Sequence, residues 1–128
     1  MIEQKNGKLT GLLTDNAMDL VTNVISKPSR SSQISALLKA QENCLKAGLT
    51  SVTDAGLDLN TIHLIDSLQQ TGDLKIRLYI MANPSPENFE YFKNNGAISR
   101  PKLQVSSFKI YADGALGSRG AKLKKPYC

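Results

Sequence analysis

Apolar side chains recur along this chain at a spacing that switches between helical and alternating. From Gln33 to Ala47, Ile34, Leu37, Leu38, Cys44 and Leu45 fall on one helical face. Ser31 or Ser32 stands where a cap is needed, and Gly48 follows as a left-handed stop. Leu49 to Asp54 is rich in β-branched residues and closes on Ala55 and Gly56, which predicts a short strand. Leu59 to Gln70 returns to a period of 3.6, with Ile62, Leu64, Ile65 and Leu68 on one side and Gly72 beyond the end. Lys75 to Ala82 alternates, with Ile76, Leu78 and Ile80 on one face and Arg77, Tyr79 and Met81 on the other. A turn from Asn83 opens a third helix, in which Ser85 is the cap and Pro86 the first residue. Phe89 and Phe92 supply its buried side, and Gly96 ends it. Residues 97–104 read as a loop and Val105 to Ala112 as the last strand.

The N-terminal part is less regular. Its first eight residues are polar and read as a loop or tail. Residues 14–25 place Ala17, Val21, Val24 and Ile25 at helical spacing, with Thr14 or Asp15 as the cap, and residues 27–32 form a linker. The whole order is helix, strand, helix, strand, helix, strand. Such alternation predicts an α/β fold with parallel strands joined by helical crossovers. The 128 residues hold about three such strands as one segment, whereas an eight-stranded barrel takes about 250 residues.

Hydrophobic residues make up 41% and charged residues 21%, as in an ordinary globular protein. No apolar run approaches the roughly 18 residues that span a membrane, and the first residues lack the apolar stretch of a signal peptide. No membrane partner and a cytoplasmic location are therefore expected. Lys122, Lys124 and Lys125 supply much of the net charge of +5. Only Tyr127 lies near them, so a stacking surface for nucleic acid is missing and a solvated loop is the expectation. Cys44 and Cys128 have no metal-binding spacing. Cys44 sits on an apolar stripe and reads as a reduced, buried thiol, in keeping with a reducing compartment.

The chemistry concentrates after residue 106. Alternation puts Val105, Ser107, Lys109 and Tyr111 on one face of the last strand, and Ser106, Phe108, Ile110 and Ala112 on the other. If Phe108 and Ile110 pack under helices, Lys109 faces the opposite side, the interior if the sheet belongs to a barrel. A lysine there is costly unless it is paired or used. Its uses include a Schiff base, a general base with a shifted pKa, and a carbamate that ligates metal. The alternative is a strand-end lysine that reaches out to water. Asp113, Gly114, Gly117, Ser118, Arg119 and Gly120 form the turn that follows. Arg119 suits a carboxylate or phosphate, but Asp113 and Gly114 also suit simple turn chemistry. Asp54 ends the first strand and is a candidate for the same rim as Lys109, or a turn residue. His63, the only histidine, lies opposite its helix's apolar stripe and should be in solvent.

Three stretches then resemble a known family: Gly48 to Gly56 (Gly-Leu-Thr-Ser-Val-Thr-Asp-Ala-Gly), Ile76 to Tyr79, and above all Phe108 to Arg119 (Phe-Lys-Ile-Tyr-Ala-Asp-Gly-Ala-Leu-Gly-Ser-Arg). They are similar to metal-dependent amidohydrolases of family 3, a group that includes enzymes like N-substituted formamide deformylase. Thr10 to Leu13 and the helix after it resemble the stretch that leads into this part of the family's barrel. The resemblance covers about residues 8–127. It implies a partial (β/α)8 TIM barrel holding about strands two to four, in an enzyme that hydrolyses C–N bonds of a small amide substrate. It also implies a divalent metal, with zinc expected, at the C-terminal face of the barrel. Lys109 matches the lysine at the end of the fourth barrel strand and is the candidate carbamate ligand. Asp113, Ser118 and Arg119 are candidates for substrate binding, and no catalytic residue is assigned within the chain.

The family's His-x-His pair, its later histidines and its last aspartate are absent, and would lie before Met1 and after Cys128. The chain is therefore expected to be an internal segment, inactive and metal-free by itself, that self-associates through its raw sheet edges. The competing reading is a small basic α/β module that binds an acidic partner.

Overall fold

The structure is a computed structural model that describes residues 2–127, with every side chain except that of Asp15. The expectations attached to Cys128 and to an Asp15 side-chain cap lie outside what is described. The chain forms two compact units. One runs from Pro28 to Ile110, and the other joins the residues up to 27 with those from 111 onward.

In the larger unit, α2 (Arg30–Lys46), β3 (Ser51–Leu57), α3 (Leu59–Thr71), β4 (Arg77–Ala82), α4 (Pro86–Asn95), β5 (Ile98–Ser99) and β6 (Leu103–Phe108) follow one another. The sheet order is β3-β4-β6-β5. β3, β4 and β6 are parallel, with α3 and α4 as the crossovers, as strict alternation implies. The short β5 turns back antiparallel onto β6, pairing Ile98 with Val105, within the stretch expected to be loop.

Helix ends follow local chemistry. α2 starts earlier than expected, because Ser29 rather than Ser31 or Ser32 is the cap; its Oγ accepts from the Ser32 N–H at 3.2 Å. At the other end Leu49 N–H reaches the Cys44 carbonyl (2.9 Å) and Gly48 N–H the Leu45 carbonyl (3.0 Å). That pair of bonds closes the helix once Gly48 takes φ 78°, a conformation glycine adopts freely. Asp58 caps α3 through the Thr61 N–H, and Ser85 caps α4 through the Asn88 N–H with Pro86 next.

The core lies between α3 and the sheet. Ile62, Leu64, Ile65 and Leu68, the predicted stripe, are all buried, and Leu74, Ile76, Ile80, Leu103 and Val105 meet them. α2 buries no residue fully. Ile34, Leu37, Leu38 and Cys44 are only half-buried and Leu45 is exposed, so the thiol expected in the core sits at its margin. Gln41 ties α2 to the start of β4. Its Nε2 donates to the Asp73 carbonyl (3.1 Å), and its Oε1 accepts from Lys75 N–H and from Ile76 N–H (3.1 Å). On α4, Phe92 is half-buried and Phe89 exposed; the fully buried residue there is Asn88.

In the smaller unit, the expected N-terminal loop is a hairpin of β1 (Ile2–Lys5) and β2 (Lys8–Leu13). Its two-residue turn, Asn6 and Gly7, takes φ 54° and 73°, the mirror-image turn whose twist suits a hairpin. The helix expected over 14–25 shrinks to a 3-10 turn (Asp15–Met18) and α1 (Asp19–Thr22). Val21, Val24 and Ile25 stay exposed, and the Thr14 side chain makes no cap bond. Among the described residues no helix is long and apolar enough to cross a membrane.

Candidate functional site

The parallel strands give the larger unit two unlike faces. On β4, Ile80 and Ala82 are buried against the helices, while Tyr79 and Met81 look the other way. Thr53 and Ala55 of β3 stand beside Tyr79 and Met81, and Gln104 and Ser107 of β6 stand on their other side. This second face carries mostly polar or small side chains.

Both neighbours of β4 carry one extra residue, at successive positions along it. In β3 the register passes from Ala55–Met81 to Leu57–Ala82, leaving Gly56 over. In β6 it passes from Val105–Ile80 to Ser107–Met81, leaving Ser106 over. Each bulge switches which residues face which side. Simple alternation therefore misplaces Val105, which is 1% exposed and packs against the helices opposite Ile80. Beyond the bulge the expected sides hold. Phe108 stacks near Phe89 and Phe92, with centroids 4.6 and 5.8 Å away, so Lys109 faces the polar side. β6 ends at Phe108, earlier than expected, and Ile110 is exposed rather than packed under a helix.

Lys109 is the first residue past β6, and its N–H continues the ladder to the Ala82 carbonyl at 2.8 Å. Its stem crosses the end of β4 toward β3. A Cβ placed on Gly56 would lie 4.0 Å from Lys109 Cγ. Gly56 has φ 120°, a backbone state that glycine takes without strain. One level below, Tyr79 Oη and Ser107 Oγ are 2.8 Å apart. Hydrogen bonding from Ser107, and secondarily from Ser106, draws the Tyr79 phenol below its ordinary pKa. Sequence alternation puts Ser107 on the face of Lys109 and Tyr79 opposite Ile80 on its own strand, but nothing in it gives their pairing.

Asp54 does not join this rim. It pairs with Ile80 on the helix side and lines a cavity of about 150 Å3 with Leu37, Cys44, Thr61 and Ile65. The strand runs past it to Leu57, so it does not end at Asp54 as expected. His63 is exposed, as its position predicts, and its ring meets that of Tyr91 edge-on at 5.0 Å.

Asp113, Ser118 and Arg119 belong to the smaller unit, where they share one loop. Asp113 closes it. One carboxylate oxygen accepts from Gly114 N–H (2.7 Å) and the other from Lys122 N–H. Gly114 packs so tightly that a Cβ there would stand 2.4 Å from the carbonyl carbon of Gly120. Ser118 Oγ donates to the Ala115 carbonyl (3.4 Å), and Arg119 sits at φ 58°. Asp113 and Gly114 also border an open groove of about 780 Å3 with Asn16, Met18 and Asp19. Among the described residues, no three His, Cys, Asp or Glu side chains converge as a metal-binding set. Lys109, once carboxylated, would offer a single donor group, so these residues do not make a metal centre by themselves.

The fold is shared with larger hydrolases. A metal-dependent hydrolase of uncharacterised role from Pyrococcus horikoshii superposes with a TM-score of 0.75 at 23% identity, over 98% of this chain and 27% of that one. A counterpart from Pyrococcus furiosus gives 0.71 at 24% identity, over 87% and 23%. The model of the amidohydrolase family matches residues 1–128, and the chain belongs to that family. It is 30% identical to the putative amidohydrolase YtcJ of Bacillus subtilis and 24% identical to the protein LONG AFTER FAR-RED 3 of Arabidopsis thaliana. Each likeness covers 99% of this chain but only 25% and 24% of the relative, so the chain spans about a quarter of their length.

Proposed function

We propose that this chain is the part of a metal-dependent C–N hydrolase that supplies a lysine to the active site. The observation that carries the reading is the placement of Lys109. It stands just past the C-terminal end of a parallel strand, on the polar face, where enzymes built on such strands gather their reactive groups. The neutral Lys109 amine would attack CO2, forming an N–C bond and releasing one proton, to give a carbamate whose oxygens ligate metal. A bound divalent metal, zinc by preference, would supply an activated water and polarise the amide carbonyl. Residues outside 2–127 would complete its ligand set.

In this reading the loop of the smaller unit serves the substrate. Arg119 pairs with an anionic group on it and Ser118 offers a hydroxyl, while Asp113 gives the loop its shape. The partner is then a small amide-type molecule. By itself the 128-residue chain is inactive. It also self-associates, because β3 is the outer strand of its sheet and leaves one edge to be paired. A well-behaved monomer in sedimentation at high concentration would count against that last point.

The test is hydrolysis of a panel of N-formyl and N-acyl amines by the whole protein, with and without chelator. Lys109→Ala should lower kcat/KM by more than about 100-fold, beyond the usual effect of losing a supporting partner of a ligand. A variant that keeps its rate within twofold removes the reading. So does turnover by the isolated chain that survives Lys109→Ala.

A further inference from the structure

Asn88 is the one buried polar residue of the described core, at 0% exposure. A buried amide is costly unless it is bonded; the Asn88 Oδ1 finds no hydrogen-bond partner among the described residues, so the acceptors around its nitrogen say what the side chain is for. Its Nδ2 donates to the Leu57 carbonyl (3.0 Å), the Asn83 carbonyl (2.9 Å) and the Asn83 Oδ1. Three acceptors around one amide nitrogen also fix which end of the carboxamide points there. The Asn83 N–H donates to the same Leu57 carbonyl at 2.9 Å. The residue before Asn83 is Ala82, whose carbonyl accepts from the Lys109 N–H.

One side chain thus joins two strand ends, Leu57 of β3 and Asn83 just past β4, and Lys109 hangs on the carbonyl of Ala82, the residue before Asn83. The tie lies just beyond both bulges, where the regular ladder has been interrupted on each side of β4. Leu57 also follows Gly56 directly. Whatever holds the Leu57 carbonyl therefore holds the glycine over which the lysine stem passes. We propose that Asn88 is the positioning residue of the Lys109 site. It sets the spacing of the strand ends across which Lys109 reaches. This inference rests on the reading of Lys109 as the site lysine, but its test does not pass through metal or turnover.

The experiment is backbone amide exchange followed by NMR on the 128-residue chain. In the wild type, Asn83 and Lys109 amides should open together, with the same dependence on low denaturant. Ile80 and Val105 should stay protected longer. Asn88→Leu keeps the volume and removes the donors. It should speed exchange at Asn83 and Lys109 by about tenfold, the loss of roughly one buried hydrogen bond, and leave Ile80 and Val105 within twofold. The Lys109 side-chain resonances should move in the same variant. Asn83→Ala, a milder change that removes one acceptor, should give the same pattern at smaller size if Asn88→Leu does not fold. Independent opening of the two amides in the wild type would overturn the proposal. A uniform loss of protection across the sheet would also overturn it, since that is what a merely structural amide would give. Failure of Lys109 to take up CO2 would remove the carbamate reading and leave this coupling standing.

Discussion

Replacing Gly114 by alanine tests how the loop of the smaller unit is closed. Gly114 has no positive φ, so its backbone would accept alanine. The obstacle is space. The new Cβ would stand 2.4 Å from both the carbonyl carbon and oxygen of Gly120, and 2.9 Å from its Cα. Carbon atoms in contact rest at about 3.5 Å or more, so the two strands of the loop must part by about 1 Å. That movement strains the bonds that close the loop: Gly120 N–H and Ala121 N–H to the Ala115 carbonyl, and Lys122 N–H to Asp113. At a net value of about 1 kcal/mol each, losing one or two makes loop opening roughly 5- to 30-fold more frequent. Trypsin reports this directly, because cleavage after Arg119 and Lys122 follows the open population. Gly114→Ala should be cut there about tenfold faster than wild type, with little change in global stability. Gly117→Ala is the control, since nothing lies within 4 Å of its Cβ. Equal cutting of wild type and Gly114→Ala, or equally fast cutting of Gly117→Ala, would refute the argument.

Two further outcomes follow from the larger unit. Ile65→Ala should cost about 2–5 kcal/mol in urea unfolding, and Leu38→Ala on the half-buried face of α2 clearly less; equal losses would mean that α2 is docked as firmly as α3. For Asp58, burial is the largest single influence and raises its pKa. The hydrogen bonds from the Thr61 hydroxyl and N–H, then from the N–H groups of Asp58 and Asn60, together bring it below the ordinary value. Its stabilising effect should be complete above the ordinary aspartate pKa and fade as pH falls through the lowered one. At neutral pH Asp58→Ala should cost about 1 kcal/mol. Asp58→Asn should keep most of the cap and lose the acid-side fall, and an unchanged pH profile in that variant would contradict the assignment.

Local features were legible in the sequence and non-local ones were not. The stripe of Ile62, Leu64, Ile65 and Leu68 needs only helical spacing, and the Ser85 cap with Pro86 needs only neighbours. The hairpin at Asn6 and Gly7 was missed although that turn pair favours hairpins, because the polar residues around it read as a loop. Asn88 carried no such signal. Two of its acceptors lie on Asn83, but the third is the carbonyl of Leu57, 31 residues earlier, and a lone asparagine on a helix ordinarily reads as surface. At the candidate site, Lys109 could be placed because Phe108 beside it marks the helix side. Val105 could not, because the intervening bulge comes from pairing with β4. Asp54 was misplaced because the strand continues through Gly56, and a glycine there looks like an end.

The surplus residues Gly56 and Ser106 make the chemistry of this sheet a matter of counting. If Ser106 instead took a regular place in the ladder, the two-residue repeat running on from Val105 would turn Phe108 toward Ser107's present side and aim the Lys109 ammonium at Phe89 and Phe92. When relatives are aligned through this stretch, a one-residue gap at Ser106 therefore leaves the lysine on its present face, because Val105, Ser107 and Phe108 then alternate without a bulge. A chain that keeps every residue here but pairs Ser106 in the ladder could hold the lysine in its column of the alignment and still have lost it from the site.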